Sequence, residues 1–150
     1  MRPFVPPPLL TLVLAAVMWI LAYSVSAWRF DFPFRWLVAA VVLVVGAVIP
    51  MLSFRTFRRA GTTTSPRDIG NASSLVTTGP YAISRNPMYL GLLLMLTAWA
   101  LALGQALNAV FPVLFVVWTT LFQIGPEERM LREKFGEAYA AYCRRVRRWI

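Results

Sequence analysis

The chain has 150 residues, of which 59% are hydrophobic and only 14% charged, against about 25% charged in an ordinary soluble domain. That balance excludes a disordered chain and most soluble folds, and the length allows one domain, 1–150. One cysteine (Cys143) and no histidine exclude an internal disulfide, a His/Cys zinc site and any His-based triad, so no metal is expected. The net charge of +9, from 15 Lys+Arg against 6 Asp+Glu, raises nucleic acid as a partner, but the charges avoid long stretches of chain.

Charge-free runs are the strongest signal. The first spans Pro3 to Trp28, with an apolar block from Leu9 to Ala27. Arg2 and the small residues Ser24–Ala27 resemble a secretory signal, but the block is longer than the usual apolar region of one, so a retained helix is expected. Pro6-Pro7-Pro8 marks its start. The second run spans Trp36 to Phe54, long enough for another membrane crossing.

A polar loop from Arg55 to Arg85 follows, rich in Gly, Thr, Ser and Asn. Loops of this length are usually functional or disordered. Gly61–Pro66 reads as flexible, and Leu75–Tyr81 mixes β-branched residues with a Gly-Pro turn.

The third run, Asn86 to Pro126, is long enough for two crossings and is broken by Gly104, Gln105 and Asn108. It reads as a tight hairpin of helices three and four, about 88–103 and 109–124. The fold class expected is therefore all-α: a polytopic membrane protein with four transmembrane helices. After helix four, Leu131, Phe135, Tyr139, Tyr142, Val146 and Trp149 recur at spacings of three and four, which predicts an amphipathic C-terminal helix. Gly136 interrupts it, through either close packing or a bend.

Arg55, Arg58, Arg59, Arg67 and Arg85 lie between helices two and three, and seven more basic residues follow helix four. The other side has only Arg29 and Arg35 near Asp31. By the positive-inside rule, both termini and the long loop face the cytoplasm. The basic excess is then a topology signal, and nucleic-acid binding is not expected.

Folding the hairpin at its turn brings Arg85-Asn86-Pro87-Met88-Tyr89 opposite Pro126-Glu127-Glu128. Each leg has nearly 20 residues, about 30 Å at 1.5 Å per residue, so both clusters reach the cytoplasmic surface side by side. Each also has a structural reading. Asn86-Pro87 suits a helix start, the carboxylates suit the positive end of the next helix, and Arg85 and Tyr89 suit interfacial anchors. Together they suit a ligand carrying both charge signs. Glu127 or Glu128 would hold an ammonium or sulfonium; Arg85, or backbone N–H groups near Gly79, a carboxylate; Tyr81 and Tyr89 a flat ring or a cation. S-adenosylmethionine has all these features.

Leu75–Tyr81 followed by Ser84–Gly91, and Pro126–Leu131 followed by Phe135–Tyr139, Tyr142 and Arg147–Trp149, resemble the motifs of the isoprenylcysteine carboxyl methyltransferase family. These are polytopic membrane enzymes that use S-adenosylmethionine and are related to phospholipid methyltransferases. The resemblance covers residues 70–150; the first two helices match only in being hydrophobic. It implies a cofactor site made of Ser73, Ser74, Leu75, Val76, Gly79, Tyr81, Arg85, Asn86, Pro87, Met88, Tyr89, Glu127 and Glu128, with Arg85, Glu127 and Glu128 as catalytic residues. It also implies a lipid or lipophilic small-molecule methyl acceptor.

Two departures matter. Asn86 replaces the family's histidine, keeping a donor and an acceptor but no group that titrates near neutral pH. No arginine lies in 121–126, where prenylcysteine enzymes carry one, which weakens a prenylcysteine acceptor. No G-x-G-x-x-G is present, excluding a Rossmann methyltransferase. The competing readings are a sterol-type membrane reductase, which needs a nicotinamide dinucleotide, and a non-enzymatic scaffold. A proton-coupled transporter is disfavoured because the four apolar segments carry no ionisable residue.

Overall fold

The computed structural model describes residues 5–59 and 74–150. The flexible-looking piece 61–66, Arg67 and Ser73 lie outside them. Helix α1 is Pro7–Ser24, α2 is Arg35–Arg59 and α3 is Pro87–Leu103; α4 is Val110–Thr119, prolonged by a π turn, Thr120–Ile124; α5 is Gly125–Arg145. Among the described residues there is no strand, only one antiparallel bridge between Arg29 and Gln105.

Three helical stretches, Pro7–Ser24, Arg35–Arg59 and Ala106–Arg145, are long and apolar enough to cross a membrane. Their large apolar residues stand out of the protein, as Leu12, Trp19, Val44, Val113 and Leu121 do, which suits lipid contact on faces that carry no charge. The protein is an integral membrane protein. Helix α3 has 17 residues, about 26 Å of rise, short of the roughly 30 Å hydrocarbon core.

Helix α2 runs to Arg59, beyond the expected loop start at Arg55. Arg58 and Arg59 in its last turn complement the negative end of the helix dipole. The extension carries Phe57 toward the site. Helices α2 and α3 approach each other closely: a Cβ on Gly91 would sit 2.3 Å from Pro50 Cγ, and one on Gly46 2.9 Å from the Met95 backbone nitrogen. Small residues at 46 and 91 are what let the two backbones meet.

The expected break between helix four and the C-terminal helix is absent. A proline inside an α-helix removes one donor and crowds the carbonyl four residues back. Here the Gly125 N–H bonds to Thr120 O, five residues back, and the wider π turn carries the chain past Pro126 unbroken. The bend comes later, at Gly136, whose φ of 51° and ψ of −123° are not helical. A Cβ there would meet nothing within 4 Å, so backbone conformation, rather than close packing, accounts for this glycine.

The main core joins Met18, Leu96, Ala100 and Phe115, from α1, α3 and α4. At the end away from the site, Gly104 turns the chain at φ 61° with Arg35 packed against its Cα. Gln105 donates to Val25 O (3.0 Å) and Ala27 O (2.7 Å), and Ala106 N donates to Trp28 O. Arg35 pairs with Asp31 at 3.2 Å and Arg29 donates to Ala22 O. The two basic residues of this end are therefore held by local partners.

Candidate active site

At the other end, α3 and α5 begin beside each other. Tyr89 donates to Glu127 Oε1 at 2.5 Å, 38 residues away in sequence. The cavity here has a volume of about 360 Å³, within the range of small-molecule sites. Ser74, Leu75, Val76, Tyr81, Arg85, Asn86, Met88, Tyr89, Glu127 and Glu128 all line it.

Two described candidates do not line it. Gly79, at φ 61°, turns the chain into the 3₁₀ turn Gly79–Ala82, and a Cβ would approach Thr56 Oγ1 to 3.0 Å. It seats the turn on α2. Pro87 is fully buried in the first turn of α3. Both shape the site without facing it.

The 3₁₀ turn presents Tyr81, which is held from two sides. Phe57 of α2 meets its ring edge-on at 5.1 Å, and Tyr142 of α5 donates to its carbonyl at 2.6 Å. Burial, then the neighbouring Tyr142 and Glu127, push the Tyr81 phenol well above its ordinary pKa, so it stays protonated.

The two carboxylates have different surroundings. Glu128 is buried and meets two guanidinium groups. Arg148 bonds it in a fork, Nε to Oε1 at 3.0 Å and Nη2 to Oε2 at 2.7 Å. Arg85 Nη2 lies 3.2 Å from Oε1. The bond to Glu128 raises the Arg148 pKa further. Glu127, by contrast, meets Tyr89 and makes no ion pair among the described residues. The residue readings left either carboxylate available to a cation; Glu127 is the one not already neutralised.

Arg85 also touches Cys143 Sγ through Nη1, and its buried Nε has no partner among the described residues. Asn86 does not cap α3 with its side chain. Ser84 Oγ accepts from the Asn86 N–H at 3.1 Å, and Asn86 Nδ2 donates to Arg148 O at 3.0 Å. The capping reading of Asn86 is therefore replaced by a tie to the C-terminal tail. A proline at the first helical position leaves one fewer N–H to cap, which frees that side chain.

The site also takes residues that sequence reasoning did not assign to it. Pro7, Pro8, Pro50, Phe57 and Leu92 form an apolar wall, and Leu131, Phe135, Tyr139 and Tyr142 line the side made by α5. The spacing of the latter marked a buried face, and Leu131, Phe135, Tyr139, Tyr142 and Val146 do pack together. Val146 lies one residue past the end of α5. Trp149 departs further and packs on the Met18–Phe115 core instead. For the wall, the only signals were a proline inside one charge-free run and a proline cluster ahead of the apolar block of another. Arg148 fell within the tail motif of the family resemblance, but that resemblance gave it no place in the site.

Among curated proteins, an uncharacterized protein of Haemophilus influenzae is 46% identical over 63 residues, which is 42% of this chain and 100% of that protein. The Delta(14)-sterol reductase TM7SF2 of Mus musculus is 34% identical over 90 residues, 58% of this chain and 21% of the reductase. The Delta(14)-sterol reductase LBR of Gallus gallus is 33% identical over 75 residues, 48% of this chain and 12% of the reductase. The chain thus spans only a small part of either reductase. No solved structure matches. The family model described as phospholipid methyltransferase matches residues 34–138, from the start of α2 to the middle of α5, and includes the acidic pair and the Arg85–Tyr89 segment. The chain belongs to the phospholipid methyltransferase family, a group of membrane methyltransferases.

Proposed function

We propose that the protein transfers a methyl group from S-adenosylmethionine to a lipophilic acceptor at the α3–α5 mouth. One observation carries this reading: a single cavity gathers both motif blocks around Glu127, a half-buried carboxylate that no described cation neutralises. Residues 73–76, Tyr81, Arg85–Tyr89 and the acidic pair would hold the cofactor, with Gly79 shaping the turn beneath it. Glu127 is the partner for its positive charge, and Arg85, the cation among the described residues that line the cavity, is the partner for its carboxylate.

The cofactor supplies a methyl group already activated on a sulfonium. What remains for the chain is orientation and exclusion of water. Pro50, Phe57, Leu92, Leu131 and Phe135 supply an apolar wall, the surface a lipid tail needs. An amine or alcohol acceptor must lose a proton, and Glu127 is the local carboxylate free to take it, since Glu128 is held by Arg85 and Arg148. In this reading α3 is a short fourth crossing. The cavity faces the cytoplasm with the basic residues of α5, as the positive-inside rule requires.

The reductase relatives support a second reading, in which the same mouth binds a nicotinamide dinucleotide. Purified protein in detergent separates the two. S-adenosylmethionine is expected to raise the melting temperature, and radiolabelled cofactor with a total lipid extract is expected to give a labelled lipophilic product. Stabilisation by a nicotinamide dinucleotide alone, with no labelled product, would overturn the methyltransferase reading.

A further inference from the structure

The chain does not stop where α5 ends. Val146 N closes the helix on Tyr142 O at 3.0 Å, and the backbone then turns extended. The next residues return to the start of α3. Arg147 O accepts from Arg85 N at 3.0 Å. Arg148 O accepts from Asn86 Nδ2 at 3.0 Å and from Ser84 Oγ at 3.4 Å. Trp149 Nε1 reaches Thr120 Oγ1 at 3.3 Å in the π turn. The tail thus ties together α3, α4 and the head of α5, and it lies beyond the residues matched by the family model.

The Arg148 side chain occupies both oxygens of Glu128, while Arg85 reaches one of them. Glu128 and Arg85 are themselves mostly buried, with side-chain exposures of 11% and 12%. A planar fork fixes the carboxylate plane as well as its place, which a point charge does not. Arg148 also balances the site's charge. Arg85 alone leaves one of the two carboxylates uncompensated, and Arg148 settles which: it neutralises Glu128 and leaves Glu127 for a bound cation.

We propose that Arg148 is a positioning residue for the cofactor site, holding Glu128 and through it Arg85 in register, with the tail backbone as the strap that carries it there. The proposal rests on the methyltransferase reading for its ligand, but not for the Arg148–Glu128 coupling itself.

The experiment uses the full chain in detergent, titrated with S-adenosylmethionine in a calorimeter. Arg148→Ala keeps the backbone ties from Ser84 and Asn86 and removes only the fork. It is expected to weaken binding tenfold or more, and Arg148→Lys is expected to recover part of the loss by restoring charge without the fork. Wild-type affinity in Arg148→Ala overturns the proposal. So does full recovery of wild-type affinity in Arg148→Lys, because charge without the fork would then suffice. Should the wild type itself bind no S-adenosylmethionine, the methyltransferase reading falls, and melting temperatures of Arg148→Ala, Glu128→Gln and the double variant decide the matter. Non-additive shifts sustain the coupling, and additive shifts overturn it.

Discussion

Tyr89 and Glu127, 38 residues apart in the chain, meet through a 2.5 Å hydrogen bond that joins the first turn of α3 to the first turn of α5. The bond leaves a half-buried carboxylate with a donor and, among the described residues, without a counter-ion, so its charge is open to a bound cation. Tyr89→Phe removes the donor. Hydrogen bonds to charged groups contribute about 1.5–3 kcal/mol, so the variant is expected to melt several degrees lower without ligand, measured by thermal unfolding in detergent.

The neighbouring carboxylates are expected to respond differently to the same substitution. Glu127→Gln removes a half-buried, unpaired charge and keeps an acceptor for Tyr89, so stability should hold or rise while affinity for S-adenosylmethionine falls at least tenfold, about 1.4 kcal/mol. Affinity for the neutral thioether product should fall less. Glu128→Gln instead leaves Arg85 and Arg148 facing an uncharged amide. Breaking a buried pair costs about 3–5 kcal/mol, and Arg148 is 41% exposed, so a loss toward the low end is expected. Melting curves and calorimetry on the two variants together test this division.

The α2–α3 contact is expected to be intolerant of a single methyl group. In Gly91→Ala the new Cβ would lie 2.3 Å from Pro50 Cγ and 2.7 Å from Gly46 O. One neighbour is a ring fixed to its own backbone and the other is backbone itself, so neither swings aside. Overpacking of this kind costs about 1–3 kcal/mol or more. Pro50 also lines the cavity, so cofactor affinity should fall with the melting temperature.

How much of this was legible beforehand depends on the range of the interaction. The helices of the first two runs, the turn at Gly104 and the meeting of residues 85–89 with 126–128 followed from runs of apolar residues and helix rise, because those depend on local pattern. The thirteen candidate site residues came instead from the family resemblance, and ten of them line one cavity. The wall from α1 and α2 was not legible. Nothing in Pro7, Pro50 or Phe57 as residue types says which face of a uniformly apolar helix turns inward. The pairing of Glu128 with Arg148 was hidden because the tail reverses direction after Val146, and helical periodicity ends there. The continuity of α4 into α5 was hidden because Pro126 reads as a helix start unless a π turn accommodates it.

At Gly136 the backbone alone is at stake. Its φ of 51° is unfavourable for an L-residue, yet a Cβ would have open space. Gly136→Ala is therefore expected to cost about 1–3 kcal/mol through strain, with no compensating contact. The bend lies between the acidic pair and Tyr139 and Tyr142, so a straightened α5 would also draw Tyr142 away from Tyr81. A melting shift accompanied by weaker cofactor binding is the expected result, and unchanged stability would show that the bend is not needed.

Asn86 supplies the final test, because it stands where the resembled family carries a histidine. Its side chain donates to Arg148 O, so its role here is a donor's. Asn86→Ala loses that bond, worth about 1 kcal/mol, and should weaken cofactor binding several-fold. Asn86→His restores a donor in either protonation state but introduces the only histidine of the chain. Above its pKa of about 6.5 the ring is neutral and binding should approach the wild-type value. Below that pH the imidazolium adds a positive charge beside Arg85 and opposes a cationic cofactor. The affinity of Asn86→His relative to wild type should therefore fall between pH 8 and pH 5.5, as calorimetry at the two pH values would show. A constant ratio would mean that residue 86 lies out of reach of the bound charge and acts through the tail alone.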